Sequence, residues 1–153
     1  MTNALTIRAG AEEDLPQLLD LYRQLSGDET QVSKTTAVQV FNYFLAYKGS
    51  QIFIGQLESK IVTTCTVVIV PNLTRNGMPY GLIENVVTEQ SHQKKGYGRA
   101  VLKTAVEHAW SNNCYKVMLL TGSNDPKTHK FYSGCGFKQD KTGFQIRRIP
   151  PRV

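Results

Sequence analysis

The residues with the most chemistry at the closest spacing are Gln93-Lys94-Lys95-Gly96-Tyr97-Gly98-Arg99. Gly96 and Gly98 carry no Cβ, so the backbone can bend tightly between the cations and come close to a bound group. The run lies between an apolar stretch ending at Thr88 and a helix-periodic stretch that includes Val101 and Leu102, the pattern of a strand turning into a helix. The first amides of such a helix have no acceptor within it, and the aligned peptide dipoles add about half a positive charge there. Phosphate or pyrophosphate is the ligand chemistry that suits such a start. Plain helix capping is the other use of the same residues. A P-loop is excluded, because Gly-x-x-x-x-Gly-Lys-Ser/Thr does not occur. A dinucleotide fingerprint is excluded too, because Ala100 and Val101 follow Gly98 where a third glycine is needed and no acidic residue closes the next strand.

The turn needs a strand before it and a helix after it, and the pattern supplies both. Residues 80–88 form the expected strand, with Leu82, Glu84 and Val86 on one face and Ile83, Asn85 and Val87 on the other. A carboxylate among so many apolar residues is costly to bury unpaired, so Glu84 is expected to face water, a partner or a cleft. Residues 98–110 carry Val101, Leu102, Ala105, Val106 and Ala109 on one side, an amphipathic helix closed by Asn112-Asn113. Residues 115–120 read as a fully buried strand, so the two strands should be parallel with a right-handed crossover.

Ahead of this unit, residues 4–8 suggest a first strand. A helix is expected over 12–25 on Leu15, Leu18, Leu19, Tyr22 and Leu25, ending at Ser26-Gly27-Asp28. A second helix is expected over 35–47 on Ala37, Phe41, Phe44 and Leu45. Its aromatics spread over more than one face, so Tyr43, Phe44 or Tyr47 either pack the core or join the loop 27–34 as a pocket wall. Residues 51–57 and 60–70, rich in β-branched side chains and joined by Glu58-Ser59, read as an antiparallel hairpin, and 71–79 as a loop. Behind the unit, Asp125-Pro126 opens a helix to about Ser133. Phe137 begins another strand, residues 143–149 form the last, and Pro150-Pro151 end regular structure.

A chain of 153 residues with 41% hydrophobic and 20% charged residues can bury one core without staples. Cys65, Cys114 and Cys135, odd in number and widely spaced, form neither a disulfide framework nor a zinc motif, which suits a reducing cytoplasm. His92, His108 and His129 are not spaced as a metal site and are expected at the surface. The start lacks the apolar run of a secretory signal, and no apolar stretch is long enough for a bilayer, so a cytoplasmic protein without membrane contact is expected. The net charge of +6 and pI near 9.3 suit an acidic or phosphorylated ligand; no nucleic-acid motif accompanies the charge.

Gln93-Lys94-Lys95-Gly96-Tyr97-Gly98 resembles the Arg/Gln-x-x-Gly-x-Gly/Ala signature of the GNAT family of N-acetyltransferases. Phe131-Tyr132-Ser133-Gly134-Cys135-Gly136-Phe137 resembles the same family's Phe-Tyr-x-x-x-Gly-Phe segment, and it falls one strand and one short helix later, as it does there. The resemblance covers residues 82–137 well and the first 80 only in element order. It implies an α/β (α+β) fold in one domain, residues 1–153, with a mixed sheet of six to seven strands, an antiparallel meander leading to a splayed parallel pair, and about four flanking helices.

The activity it implies is transfer of an acetyl group from acetyl-CoA to an amine, with no metal. The turn from Gln93 to Arg99 would hold the pyrophosphate, and the segment Val86, Val87 and Thr88 the neighbouring part of the coenzyme. A backbone N–H of Val86 or Val87 would polarise the thioester carbonyl. Tyr132, beside Phe131, would protonate the leaving thiolate; with reference pKa values of about 8.5 for a thiol and about 10 for a phenol, this needs help from the site. A core aromatic is the other reading of Tyr132. Glu84 is either the base that frees the amine, directly or through water, or a structural carboxylate or substrate anchor that moves no proton. Asn85 would help hold structure or ligand. Asn124 would bond the pantetheine arm, although the family's usual asparagine aligns with Asp125 here. A nucleophilic Cys135 has no histidine partner nearby in the sequence.

Within the family, Glu84-Asn85-Val86-Val87 and the Cys-Gly-Phe ending resemble glucosamine-phosphate acetyltransferases, which pair as dimers. A small-molecule amine and a homodimer are therefore expected. A protein amino terminus or lysine as acceptor, and a coenzyme-binding regulatory module without turnover, are the alternatives.

Overall fold

The computed structural model describes residues 3–26 and 32–150. In order they form β1 (Thr6–Ala9), a short helical turn (Glu12–Asp14), α1 (Leu15–Ser26), α2 (Lys34–Leu45), β2 (Gln51–Leu57), β3 (Lys60–Val70), β4 (Tyr80–Thr88), α3 (Tyr97–Ser111), β5 (Val117–Leu119) and α4 (Pro126–Gly134). The turn expected at Gly27-Asp28 and most of the loop around it lie outside the described residues, as do Pro151 and Arg152. The chain divides into two compact units, Met1–Leu119 and Leu120–Val153.

The first unit is built on a mixed five-stranded sheet in the order β1-β2-β3-β4-β5, antiparallel except for the last pair. The β-branched hairpin lies at its centre, with β2 and β3 in register from Gln51↔Val67 to Leu57↔Lys60. Alternation sends neighbouring side chains of β2 to opposite faces. Ile54 joins Leu15, Leu18 and Leu21 of α1 and Ala37 and Phe41 of α2, while the Phe53 ring meets His108 of α3 edge to face at 5.2 Å. On α3, Val101, Leu102, Ala105 and Ala109 are buried, the stripe expected from sequence, with Val106 half-buried at its margin. On α1 the buried stripe runs through Leu21, whereas Leu25 is exposed.

Asp14 is buried at the start of α1, where its carboxylate accepts Arg8 Nη1 at 2.7 Å, Arg8 Nη2 at 2.8 Å and the Ala11 N–H at 2.7 Å. The forked pair with Arg8 holds its pKa below the usual carboxylate range against the opposing pull of burial. Cys65 of β3 is fully buried, with its thiol directed at the Val101 carbonyl at 3.6 Å, and burial pushes its pKa up to about 12. Cys114 is buried and Cys135 half-buried, and none of the three is in a disulfide among the described residues.

The sheet departs from expectation at its last edge. Residues 137–150 form neither helix nor strand, so the strands expected at Phe137 and over 143–149 are absent and the described sheet has five strands rather than six or seven. Alternating apolar residues make a strand only when a neighbour takes their hydrogen bonds and covers a face, and Phe144 and Ile146 are 92% and 100% exposed. The strand expected over 115–120 shrinks to three residues and is not fully buried: Met118 is 37% and Leu120 72% exposed. Among the described residues, no helix is long and apolar enough to cross a membrane, and no cluster of His, Cys, Asp and Glu could hold a metal ion.

The tightness of the hairpin is testable at Gly55, where an added Cβ would sit 2.5 Å from Thr63 Cγ2 and 3.2 Å from Leu5 Cδ1. Gly55→Ala should lower unfolding free energy by about 1–3 kcal/mol through overpacking, measured by urea denaturation. An unchanged midpoint would refute this packing.

Candidate active site at the bulge of β4

Pairing between β3 and β4 slips by one residue. Thr66 faces Glu84 but Thr64 faces Val87, so Cys65 alone opposes both Asn85 and Val86. The extra residue is absorbed at Asn85, whose φ of 52° lies in the left-handed region that asparagine tolerates better than most side chains. Strict alternation therefore fails here, contrary to the sequence pattern. Glu84 and Asn85 are both exposed, and Val87 returns to the core formed with α1 and α2. On the other edge of β4 the parallel ladder runs Gly81↔Val117, Leu82↔Met118, Ile83↔Leu119 and stops at the bulge. Beyond it, the segment holding Val86 and Val87 has no parallel partner among the described residues.

A groove of about 280 Å³ opens beside the bulge, with Asn85 at one wall and Tyr22, Arg23, Leu25 and Val32 among its other lining residues. The Tyr22 phenol is buried next to the Thr64 and Thr66 hydroxyls; burial raises its pKa while the two threonines pull the other way. Neither Tyr22 Oη nor Thr66 Oγ1 completes a hydrogen bond among the described residues. Buried hydroxyls of this kind normally find a partner. The helical stripe marks Tyr22 only as a packing residue, and nothing in its spacing signals a polar tip at a groove.

After Thr88 the chain makes a short helical turn, Gln90–His92, and then the basic turn. Lys94 and Gly96 both take the left-handed conformation, with φ of 62° and 82°. Gly96 caps α3 without a side-chain hydrogen bond, and a Cβ there would meet nothing within 4 Å. Gly98 lies inside the first turn of α3 and does not share the left-handed backbone. The first helical hydrogen bond is from the Ala100 N–H to the Gly96 carbonyl at 3.0 Å, so the amides of Tyr97, Gly98 and Arg99 precede the ladder. Lys94, Lys95 and Arg99 are exposed and form no ion pair among the described residues. Open space at Gly96, the first helix amides and three exposed cations give this end of α3 the chemistry that suits a diphosphate. Gln93 is directed elsewhere, its Nε2 donating back to the Thr88 carbonyl at 3.2 Å.

One cluster next to this turn has no counterpart in the sequence reading. The Glu89 carboxylate takes Lys60 Nζ at 2.7 Å on one oxygen and Ser91 Oγ at 2.9 Å and His92 Nδ1 on the other. The His92 ring in turn lies 6.4 Å from the Tyr97 ring, tilted by 31°. The Lys60 contact, opposed by burial and helped by Ser91 and His92, moves the Glu89 pKa from 4.5 to about 2. The three histidines expected at the surface are all half-buried. Besides His92, His108 Nε2 meets the Gly49 carbonyl at 2.6 Å and His129 Nε2 the Ser123 carbonyl at 2.7 Å.

In the second unit Asp125 is the N-cap of α4, its carboxylate accepting the Lys127 N–H at 2.9 Å, and Asn124 is exposed just before it. Phe131 and Tyr132 meet edge to face at 5.1 Å, and the Tyr132 and Phe137 rings lie 6.3 Å apart. Tyr132 is half-buried.

The pattern of the Acetyltransferase (GNAT) family matches residues 16–137. A glucosamine 6-phosphate N-acetyltransferase of Trypanosoma brucei brucei is 30% identical over 138 residues, 88% of this chain and 89% of that protein. Among solved structures, a provisionally assigned acetyltransferase from Agrobacterium tumefaciens str. C58 is 50% identical with a TM-score of 0.89, covering 94% of this chain and 99% of that one. The glucosamine-6-phosphate N-acetyltransferase of Arabidopsis thaliana is 25% identical with a TM-score of 0.87, covering 95% and 99%.

The Glu89 cluster carries a signed acid response. Because its folded pKa is depressed, its stabilisation is complete above about 4.5 and is lost as pH falls from there towards 2. The difference in denaturation midpoint between the wild type and Glu89→Gln should be constant from neutral pH down to about pH 5 and should close below it. A gap of equal size at pH 3 and pH 7 would refute the ionised cluster.

Proposed function

The chain belongs to the GNAT acetyltransferase family, and on that premise we propose that it transfers the acetyl group of acetyl-CoA to the primary amine of a small molecule by direct attack in a ternary complex. Residues 1–153 are taken as one acetyltransferase domain, in keeping with a family match that runs through both compact units. The observation that carries the reading is the start of α3, where Gly96 leaves open space beside helix amides and Lys94, Lys95 and Arg99 form no ion pair among the described residues. That start takes the coenzyme's pyrophosphate. Glucosamine 6-phosphate is the first acceptor to test, because relatives similar along most of their length carry that activity in their names.

The chemistry required is modest. An amine must lose a proton, its nitrogen must attack the thioester carbonyl carbon, and the carbon–sulfur bond must break as the thiolate is protonated. Glu84, exposed at the bulge with no partner among the described residues, receives the amine's proton directly or through water. The segment around Val86 and Val87, left without a parallel partner, offers an N–H to the developing oxyanion. Asn85 holds the acceptor from the wall of the groove beside it. Tyr132 returns a proton to the sulfur, and Asn124 and Phe131 line the coenzyme's arm. The products are an acetamide and free coenzyme A.

Thiol release from acetyl-CoA over a panel of small amines, led by glucosamine 6-phosphate, tests the activity; coenzyme binding without turnover on any amine would favour a regulatory module. Tyr132→Phe should lower kcat by roughly a hundredfold or more while leaving coenzyme affinity nearly intact, and unchanged turnover would remove Tyr132 as the acid. Gly96→Asp, which adds bulk and negative charge at a φ of 82°, should weaken coenzyme binding at least about tenfold by calorimetry. Unaltered affinity would count against the turn as the pyrophosphate site.

A further inference from the structure

We propose, resting on the coenzyme reading of the basic turn, that Glu89 is a positioning residue which holds that turn in its anion-receptive shape by gripping His92. The turn has reason to open: Lys94 occupies the left-handed backbone without being glycine, and Lys94, Lys95 and Arg99 repel one another across a few residues. Something must hold it before an anion arrives.

Glu89 is placed to do so from a fixed base. Its N–H donates to the Val62 carbonyl of β3 at 2.8 Å, and its carbonyl receives the His92 N–H at 2.8 Å. Its carboxylate holds the His92 imidazole at Nδ1, with Ser91 Oγ bonding to both groups, at 2.9 Å to Glu89 and 3.0 Å to His92 Nδ1. The imidazole also lies 6.4 Å, centroid to centroid, from the ring of Tyr97, the first residue of α3. A chain of contacts from Glu89 through His92 to Tyr97 therefore spans the turn, joining its entry at Glu89 to its exit at Tyr97. Lys60 neutralises the other carboxylate oxygen from β3 and, among the described residues, makes no side-chain hydrogen bond to residues 93–99. Of the residues in this chain, only Tyr97 belongs to the turn that would touch the coenzyme. Glu89 and His92 act through the shape they impose.

The test separates shape from stability. Calorimetric Kd values for coenzyme A and thermal unfolding midpoints are measured for the wild type, Glu89→Gln, His92→Ala, the double variant and Lys60→Met, each first shown to be folded by circular dichroism. Glu89→Gln and His92→Ala should each raise Kd by about tenfold, the scale of one charge-assisted hydrogen bond. The double variant should be no weaker than either single one, because both break the same linkage. Lys60→Met should lower the midpoint yet leave Kd within about twofold. If Glu89→Gln fails to fold, His92→Ala against Lys60→Met carries the same comparison. Wild-type binding with unchanged Kd in Glu89→Gln or His92→Ala overturns the proposal, and so does a Kd for Lys60→Met as weak as that for Glu89→Gln. A wild type that does not bind coenzyme A overturns the coenzyme reading itself, and this inference falls with it.

Discussion

A strand that must fit two residues against one neighbour cannot continue its pleat, and β4 meets this constraint at Asn85 and Val86 opposite Cys65. The consequences spread in both directions. Before the bulge, Ile83 is buried and Leu82 sits in the parallel ladder with β5; after it, Val87 packs against the α1 and α2 core. The strand is thus anchored at both ends, while Glu84 and Asn85 between them are exposed and Val86 is half-buried. Glu84 and Asn85 reach solvent together, which unbroken alternation would forbid. A groove bordered by α1 opens beside the same point. Rigidity on either side of an exposed segment is what a reaction centre needs if a backbone donor is to be held in place before the substrate arrives.

The second constraint is electrostatic. Most positive charge on the chain is spread out, but at the start of α3 three exposed cations and the first helix amides cluster around Gly96, where an added Cβ would meet nothing within 4 Å among the described residues. Such a place is unfavourable to assemble, because like charges lie close together. The surrounding bonds show how the cost is met: Gln93 ties back to Thr88, the Gln90 N–H donates to Gln24 of α1 at 3.0 Å, and Glu89 fastens the turn to β3. The cationic turn is held by the region that packs.

Much of this was legible from residue order. The bounds of β2, β3 and β4 and the buried stripe of α3 follow from β-branched runs and helical spacing, because those elements are stabilised by the core they enter. The glycine turn was legible because Gly96 has a backbone requirement that few residues share. The bulge was not, since Asn85 reads like any polar residue in a strand and the slip is decided by pairing with β3. Lys94 conceals its left-handed backbone in the same way. Glu89 and Lys60 lie 29 positions apart, and no local pattern announces their meeting. At the other extreme, the alternation through Phe144 and Ile146 promised a strand, but a strand is a property of two segments, and no second segment pairs with it among the described residues.

Cys65 lies directly across from the bulge, a position from which a thiolate could intercept an acyl group. Its thiol is sealed from solvent, points to the Val101 carbonyl, and is held protonated by burial. A thiol so buried and so firmly protonated is a poor nucleophile, so the side chain behind the bulge is chemically quiet. The same seal means that alkylating reagents gain no foothold at Cys65 while the fold is intact.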